Sequence, residues 1–518
     1  MLKISNIKVS VRKEDQNKAI KYQLQYIFKQ PIDDFKIIKK SIDARDKIDG
    51  VFYVYEVVTK VENENLFLKT NNVVKYTKEE YIIPTNNKEL KIRPIVIGFG
   101  PAGLFCSYIL AKANLNPIVF ERGQKIEERT KDVENFWTNN HLNVDSNIQF
   151  GEGGAGTFSD GKLNTSLKKS VRQKFVLETF VECGAPEEIL YLNKPHIGTD
   201  ILRNVIKNMR NKIIELGGTI NYNSKLTNIK IKNNQIKSVI INDKDEYETD
   251  NLIIAIGHSA RDTFKMLNNH LKMEPKSFAV GIRVQHDQNS INENQYGEDS
   301  KYLPPADYKL TYQTKEGRGV YSFCMCPGGF VVNSSSEKDK LCINGMSNHN
   351  RSSKNANSAI VVTVNPHDYG DNIFDGMHFQ EELENKAFKE GKGLIPISLL
   401  KDYKLNKISL KFGQIDPIFK GGYNFANINN IFPDFINESL KDGIEYFGSK
   451  IKGFNNDDVI IAAVESRTSS PIRILRNDYF ESNIIGIYPC GEGAGYAGGI
   501  TSAAIDGIKV AEAIISKD

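Results

Sequence analysis

Sulfur is sparse in this sequence and badly placed for structural work. The six cysteines, Cys106, Cys183, Cys324, Cys326, Cys342 and Cys490, are scattered through 518 residues and form no Cys-x-x-Cys pair. A disulfide-built secreted scaffold and a zinc ribbon are therefore excluded as leading readings. No run of about 18 apolar residues occurs, so no membrane span is expected. The start, Met-Leu-Lys-Ile-Ser-Asn, lacks the apolar stretch of a signal peptide. Charge of one sign is missing as well: 68 Lys plus Arg face 64 Asp plus Glu, a net +4. So small a surplus gives no reason to expect nucleic acid or an anionic membrane as partner. Together these absences make a reduced, cytoplasmic protein the expectation, with no metal site, since no Cys or His cluster is visible. Hydrophobic residues at 40% and charged residues at 25% are enough for a sizeable core.

Along the chain, residues 1–88 read as a small α+β unit. Ile4 to Val11 alternates as a strand, Ala19 to Phe28 carries Ile20, Leu24 and Ile27 on one helical face, and Phe35 to Ile42 and Val51 to Val61 read as strands. Strand, helix, strand, strand begins a ferredoxin-like pattern. Pro84 to Arg93 is the expected linker. Then Ile95-Val96-Ile97 reads as a buried parallel strand, Leu104 to Ala113 as a helix, and Pro117 to Phe120 as a second strand. Thr199 to Leu216 is a further helix, with Thr199 or Asp200 as its cap. A strand meander follows over 219–248, then Leu252 to Gly257. Residues 270–475 read as mixed strands and long loops. The end returns to strand Ile484 to Tyr488, a glycine-rich turn and a helix from Thr501 to Ile515.

The strongest signal is Gly98-Phe-Gly100-Pro101-Ala102-Gly103 with Glu121 downstream. Gly98 permits the strand-to-helix turn, Gly100 lets a pyrophosphate approach the backbone, and Gly103 lets helix and strand pack closely. The helix N-terminus offers free N–H groups and a positive dipole end to phosphates. Glu121 ends the second strand, where a carboxylate accepts hydrogen bonds from an adenosine ribose. It would repel a 2′-phosphate, although Arg122 beside it counters that charge. Five glycines between Gly151 and Gly161, among them Gly153, Gly154 and Gly156, make a bare backbone suited to close approach of a flat ring or phosphate. The competing reading is a flexible loop.

The order of glycine turn, glycine-rich stretch, helix, meander, Ile-Ala-Ile-Gly257 strand, inserted region and C-terminal Gly-Glu-Gly-Ala-Gly resembles the FAD domain of glutathione-reductase-type flavoproteins. More specifically, five segments resemble a bacterial family of uncharacterised FAD-dependent dehydrogenases: Phe150 to Leu163, Pro195 to Asp200, Cys324 to Gly329, Glu465 to Pro471 and Tyr488 to Gly499. The resemblance covers essentially the whole chain. It implies FAD held by a discontinuous domain, and no particular substrate. It also implies that Glu492, in Gly491-Glu492-Gly493, lies where related flavoproteins use an acid for the ribityl or pyrophosphate region. The helix after Gly498, Gly499 and Ile500 would then point at the flavin N1/O2 edge.

The expected fold is thus α/β. A Rossmann-like FAD-binding domain (92–268 and 476–518) is interrupted by a mixed α+β substrate domain (269–475) and preceded by the ferredoxin-like domain (1–88). The expected activity is an FAD-dependent oxidoreductase acting on a small molecule. No second Rossmann unit is visible, so NAD(P)H would bind only transiently. The alternatives are a flavin-dependent tRNA-modifying enzyme and a non-enzymatic FAD-stabilised binding protein. Candidates for catalysis are His196 and His258 for proton transfer, Arg283 and Arg467 for charge near flavin or substrate, and Cys324 with Cys326. On a strand, residues i and i+2 share a face with Cα atoms ~6.5 Å apart, near the upper limit for a disulfide. That spacing points to two thiols facing a core or pocket rather than to a cycling disulfide.

Overall fold

A computed structural model describes residues 1–46, 50–85, 90–165, 167 and 170–517. Part of the expected linker, and the end of the expected 1–88 unit, lies outside the described residues. Strands Leu2–Ser10, Phe35–Asp43, Phe52–Thr59 and Val73–Lys75 and helix Gln16–Phe28 build the N-terminal unit. Its antiparallel sheet runs in the order 35–43, 52–59, 2–10, 73–75. Ile20, Leu24 and Phe28 bury the helix face against it. This is the ferredoxin-like strand order, but a short 3₁₀ turn, Glu64–Phe67, stands where a second helix would run. Asp299 pins the unit to the rest of the chain: it accepts from Arg12 Nε at 2.6 Å and from the Val51 amide at 2.8 Å.

The second layer is a five-stranded parallel sheet. In spatial order its strands are Ile487–Pro489, Leu252–Ile254, Ile95–Ile97, Ile118–Phe120 and Thr219–Asn221. The inner strands are three-residue apolar runs, as expected where both faces are covered, while the edge strand Thr219–Asn221 is polar and partly exposed. Helices Pro101–Lys112, Val171–Glu182, Thr199–Glu215 and Ile500–Ile515 cover one face. The antiparallel meander Leu226–Lys232, Gln235–Ile241, Asp245–Glu248 covers the other, with helix Arg261–Leu267. Strand 487–489 comes from the far end of the chain and pairs with 252–254, so the two ends share one sheet.

The intervening chain is more regular than strands and long loops. It forms a seven-stranded sheet in the order Thr311–Gln313, Gly319–Cys326, Asn355–Val364, Phe278–Asp287, Ile460–Glu465, Ile395–Leu399, Tyr423–Phe425. Helices Asp375–Glu390 and Asp434–Gly448 pack on it. Two local expectations need correction. Helix Thr199–Glu215 is capped by Gly198, not by Thr199 or Asp200, because the Thr199 hydroxyl donates to the Thr157 carbonyl at 2.6 Å instead. The C-terminal strand is Ile487–Pro489, not Ile484 to Tyr488, since Ile484 is held in a turn: the Ser482 hydroxyl donates to its carbonyl and accepts from its amide.

Candidate functional site

One cleft lies between the parallel sheet and the seven-stranded sheet. Its walls come from stretches far apart along the chain. The first turn supplies Gly98, Gly100, Pro101 and Ala102, and the second strand's end supplies Glu121 and Arg122. The glycine-rich loop supplies Gln149, Phe150, Gly151, Gly154 and Gly156. Gly257, His258, Ser259 and Thr263 follow the Leu252–Ile254 strand. Phe323, Cys324 and Glu465 come from the large sheet, Arg467 and Thr468 from the turn after its strand Ile460–Glu465, Asn344 from strand Ile343–Met346 of a separate small sheet, and Glu492, Gly498, Gly499, Ile500 and Ala503 from the C-terminal turn and helix.

Two helix N-termini open on this cleft. Helices Pro101–Lys112 and Ile500–Ile515 begin at Gly100 and Gly499, and neither has a side-chain cap. Their first N–H groups are orphans in need of an acceptor. Gly103 is required by packing: a Cβ there would lie 1.9 Å from the Gly98 carbonyl oxygen. Gly491 faces Ala102 in the same way, so Gly103 and Gly491 shape the turns from behind rather than line the cleft. Gly153 likewise packs against Ile206, behind the wall. The C-terminal turn is held by Asp506, which accepts from the Gly491 amide at 2.7 Å and pairs with Arg476 at 2.7 Å.

Glu121 is 5% exposed and already accepts from the amides of Phe99, Gly123 and Gly151, at 2.7, 3.0 and 2.9 Å. A carboxylate offers about four lone-pair sites, so one is left for a ligand hydroxyl. Arg122 pairs with Asp262 at 2.8 Å and lies 4.4 Å over the Phe150 ring.

The glycine-rich stretch is not a flexible loop. It folds around Arg129, which is fully buried. The guanidinium donates to the carbonyls of Asn147, Ile148, Gly151, Glu152 and Gly154 at 2.6–3.2 Å. A Cβ on Gly151, whose φ is +121°, would lie 2.4 Å from Arg129 Cδ. The bare backbone is thus the mould of a buried cation on one side and the cleft wall on the other. Sequence reasoning misses Arg129 because it sits in an amphipathic helix, Ile126–Asn139, among exposed charges.

The catalytic candidates separate. His258 and Arg467 reach the cleft, as does Cys324; His196, Arg283 and Cys326 do not line it. Arg467 is spoken for: its Nε and Nη2 each meet buried Glu384 at 2.9 Å, and Nη1 donates to Ser336 at 2.6 Å. Arg261 holds the same carboxylate from its other side. Burial pushes the Glu384 carboxyl up, but these two guanidinium groups more than reverse it and hold it below the usual carboxylate range. Arg283 is 0% exposed and spends its donors on Glu465, Asn357, Asn344 and the Cys324 carbonyl. It is a core anchor that fixes three cleft residues, Glu465, Asn344 and Cys324. His196 stacks on His349, centroids 5.3 Å apart, and its Nε2 meets the His349 carbonyl at 3.0 Å. Burial, with Arg351 beside it, depresses His196 to about 4.

Two acids remain inside the cleft. Burial pushes Glu492 up to about 7, with Cys324 adding to the shift and Lys276 opposing it. Its Oε1 is 3.9 Å from His258 Nε2, and burial plus Arg467 depress that imidazole to about 4. Near neutrality His258 is therefore uncharged while Glu492 is poised to hold or release a proton. The other group is Cys324. The regular strand spacing expected there is broken: Phe323 pairs with Ala359 and Cys326 with Asn357, so Cys324 and Met325 both stand opposite Ser358, in a bulge. Asn344 and Phe323 gave no sequence signal, whereas Glu465 and Thr468 fall inside a segment singled out as a motif.

Among the described residues, no helix is long and apolar enough to cross a membrane, and no group of three or more His, Cys, Asp or Glu could hold a metal ion. Residues 277–468 match the family model described as FAD-dependent protein, C-terminal domain-like, and residues 1–59 match a domain of unknown function. Among solved structures, the chain is similar to a glycine oxidase from Bacillus cereus at 11% identity, with a TM-score of 0.32, covering 83% of this chain and 96% of that one. It is similar to a glycerol-3-phosphate dehydrogenase from Bacillus halodurans, complexed with FAD, at 10% identity and a TM-score of 0.35, covering 81% and 63%. An uncharacterized protein of Clostridium beijerinckii is 47% identical over 500 residues, 94% of this chain and 93% of that one. At that identity over nearly its whole length, the chain belongs to the family of the clostridial protein, with residues 277–468 as its FAD-dependent protein, C-terminal domain-like region.

Proposed function

We propose that this chain is an FAD-dependent oxidoreductase that takes a hydride from a small-molecule donor. The observation that carries the reading is the convergence, in one cleft, of two uncapped helix N-termini, three glycine-lined backbone stretches and the acid that ends the second strand. Such a donor set fits a dinucleotide: open amides and positive dipole ends for a pyrophosphate, a carboxylate lone pair for a ribose. Bound there, FAD supplies hydride acceptance at N5. The Gly98 to Gly103 turn would hold the pyrophosphate, Glu121 the adenosine ribose, and the N-terminus of helix 500–515 would stabilise negative charge at the N1 edge. Glu492 would hold or release a proton at its carboxyl within the cleft, with neutral His258 as neighbour. The inserted region would close over the ring and bring the substrate against Cys324, Asn344 and Thr468. NAD(P)H as a transient donor is part of the proposal.

The test is direct. The purified protein should be yellow, and acid should release FAD near one per chain. Anaerobic mixing with NADH and with NADPH should bleach it with at least one of them if a nicotinamide is the donor. A colourless protein that also fails to take up added FAD ends this reading.

A further inference from the structure

The bulge at Cys324 gives that residue an unusual backbone. Its φ is +46°, a left-handed conformation that a side chain bearing a Cβ adopts only under strain. Bulges next to active sites re-aim a side chain, and this one turns Cys324 into the cleft while Cys326, 0% exposed, stays beneath it. The two residues remain in contact: Cys326 Sγ donates to the Cys324 carbonyl at 3.2 Å. The neighbouring side chains favour the thiolate at Cys324 and the thiol at Cys326. With Lys162 and Arg283 adding positive charge, against burial and Glu465, Cys324 comes down to about 6. Its partner moves the opposite way, held protonated by the neighbouring Cys324 side chain and by burial. An attacking thiolate paired with a protonated neighbour is the arrangement a dithiol needs.

Resting on the reading of the cleft as a flavin site, we propose that Cys324 and Cys326 form a dithiol–disulfide couple that exchanges two electrons with the bound flavin. The step balances. The Cys324 thiolate and the Cys326 thiol lose two electrons and one proton as the S–S bond forms and the Cys326 S–H bond breaks. Oxidised flavin takes up those two electrons and that proton to become the anionic reduced form. In reverse, reduced flavin opens the disulfide. Lys162, whose ammonium lies 3.3 Å from Asp160, supplies fixed positive charge beside the pair. The Cys324 carbonyl is anchored by Arg283 at 3.2 Å and accepts from Cys326 Sγ, which keeps Cys326 against the left-handed Cys324 backbone.

Thiol counting on the holoprotein tests this. Denaturation and alkylation of the air-oxidised protein should label four of its six cysteines. After anaerobic dithionite the count should rise to six, with the new label on the peptide spanning 324–326. Full reduction should consume two dithionite equivalents per flavin, and one in Cys324→Ser or Cys326→Ser. Six labelled thiols before reduction, with one equivalent sufficing in wild type and both variants, would overturn the proposal. If either variant misfolds, the wild-type count and titration decide. A protein that holds no flavin defeats the reading of the cleft and the electron exchange with it. Peptide mapping in oxidised and reduced glutathione then still separates the two failures, since a 324–326 disulfide marks a redox pair without flavin and its absence removes the pair as well.

Discussion

Replacing Arg129 by lysine should damage the cofactor wall while leaving every cleft-facing side chain in place. The carbonyls of Asn147, Ile148 and Glu152 have no other protein donor among the described residues; those of Gly151 and Gly154 also accept from backbone amides. The guanidinium serves the three from two edges, Nε and Nη2 on one side and Nη1 on the other. An ammonium is a single point. Seated near the Nη1 position it meets Glu152 and leaves Asn147 and Ile148 unpaired. Each orphaned buried carbonyl costs about 1–3 kcal/mol, so the loss is about 2–6 kcal/mol. The charge itself stays buried in both proteins, so its desolvation largely cancels from the comparison. For a unit of 150–250 residues each kcal/mol lowers the melting temperature by roughly 2–4 °C. Melting followed by circular dichroism should therefore fall by several degrees, and FAD released per chain should fall with it. An Arg129→Lys protein that melts within about 1 °C of wild type with full flavin content would refute the claim that this cation moulds the loop.

Other outcomes are equally specific. Gly100→Val should cost FAD but little stability, because a Cβ there meets only Gly154, at 3.6 Å; full flavin content in this variant would remove the pyrophosphate from the turn. Glu492 has a folded value raised from 4.5 to about 7, so the folded state binds more protons than the unfolded one between those values. Stability is then fully favoured below about pH 4.5 and falls by about 3 kcal/mol as pH rises through 7. Glu492→Gln should remove that slope from the flavin-free protein, which melting at pH 5 and pH 8 would reveal as a gain at the higher pH only. Arg283→Met should lower stability by about 3–5 kcal/mol by stranding buried Glu465, and a denaturation midpoint unchanged from wild type would contradict the anchoring role.

Much of the fold was legible because it is written in short-range spacing. Gly98, Gly100, Gly103 and Glu121 each answer to a local demand of a strand–turn–helix–strand unit, and the meander from Leu226 to Glu248 shows alternation and Asn turns within a few residues. The helix of the N-terminal unit was equally plain in Ile20 and Leu24. The candidate site was legible only where backbone alone makes it. Side chains that depend on partners far along the chain were not: Arg467 reads as a free charge until Glu384, 83 residues earlier, is seen to hold it. Arg283 reads the same way until Glu465 arrives from 182 residues away. The two cysteines read as regular strand residues, because a bulge is set by how a strand pairs with Ser358 and its neighbours and not by its own composition. The sequence by itself determined which turns must be bare backbone, since at Gly98 and Gly103 only glycine leaves the space the neighbouring backbone occupies. Tertiary packing decided which charges are spent on one another and which sulfur faces the cleft, because burial makes an unpaired charge too costly to leave and only the assembled sheets bring the partners within reach.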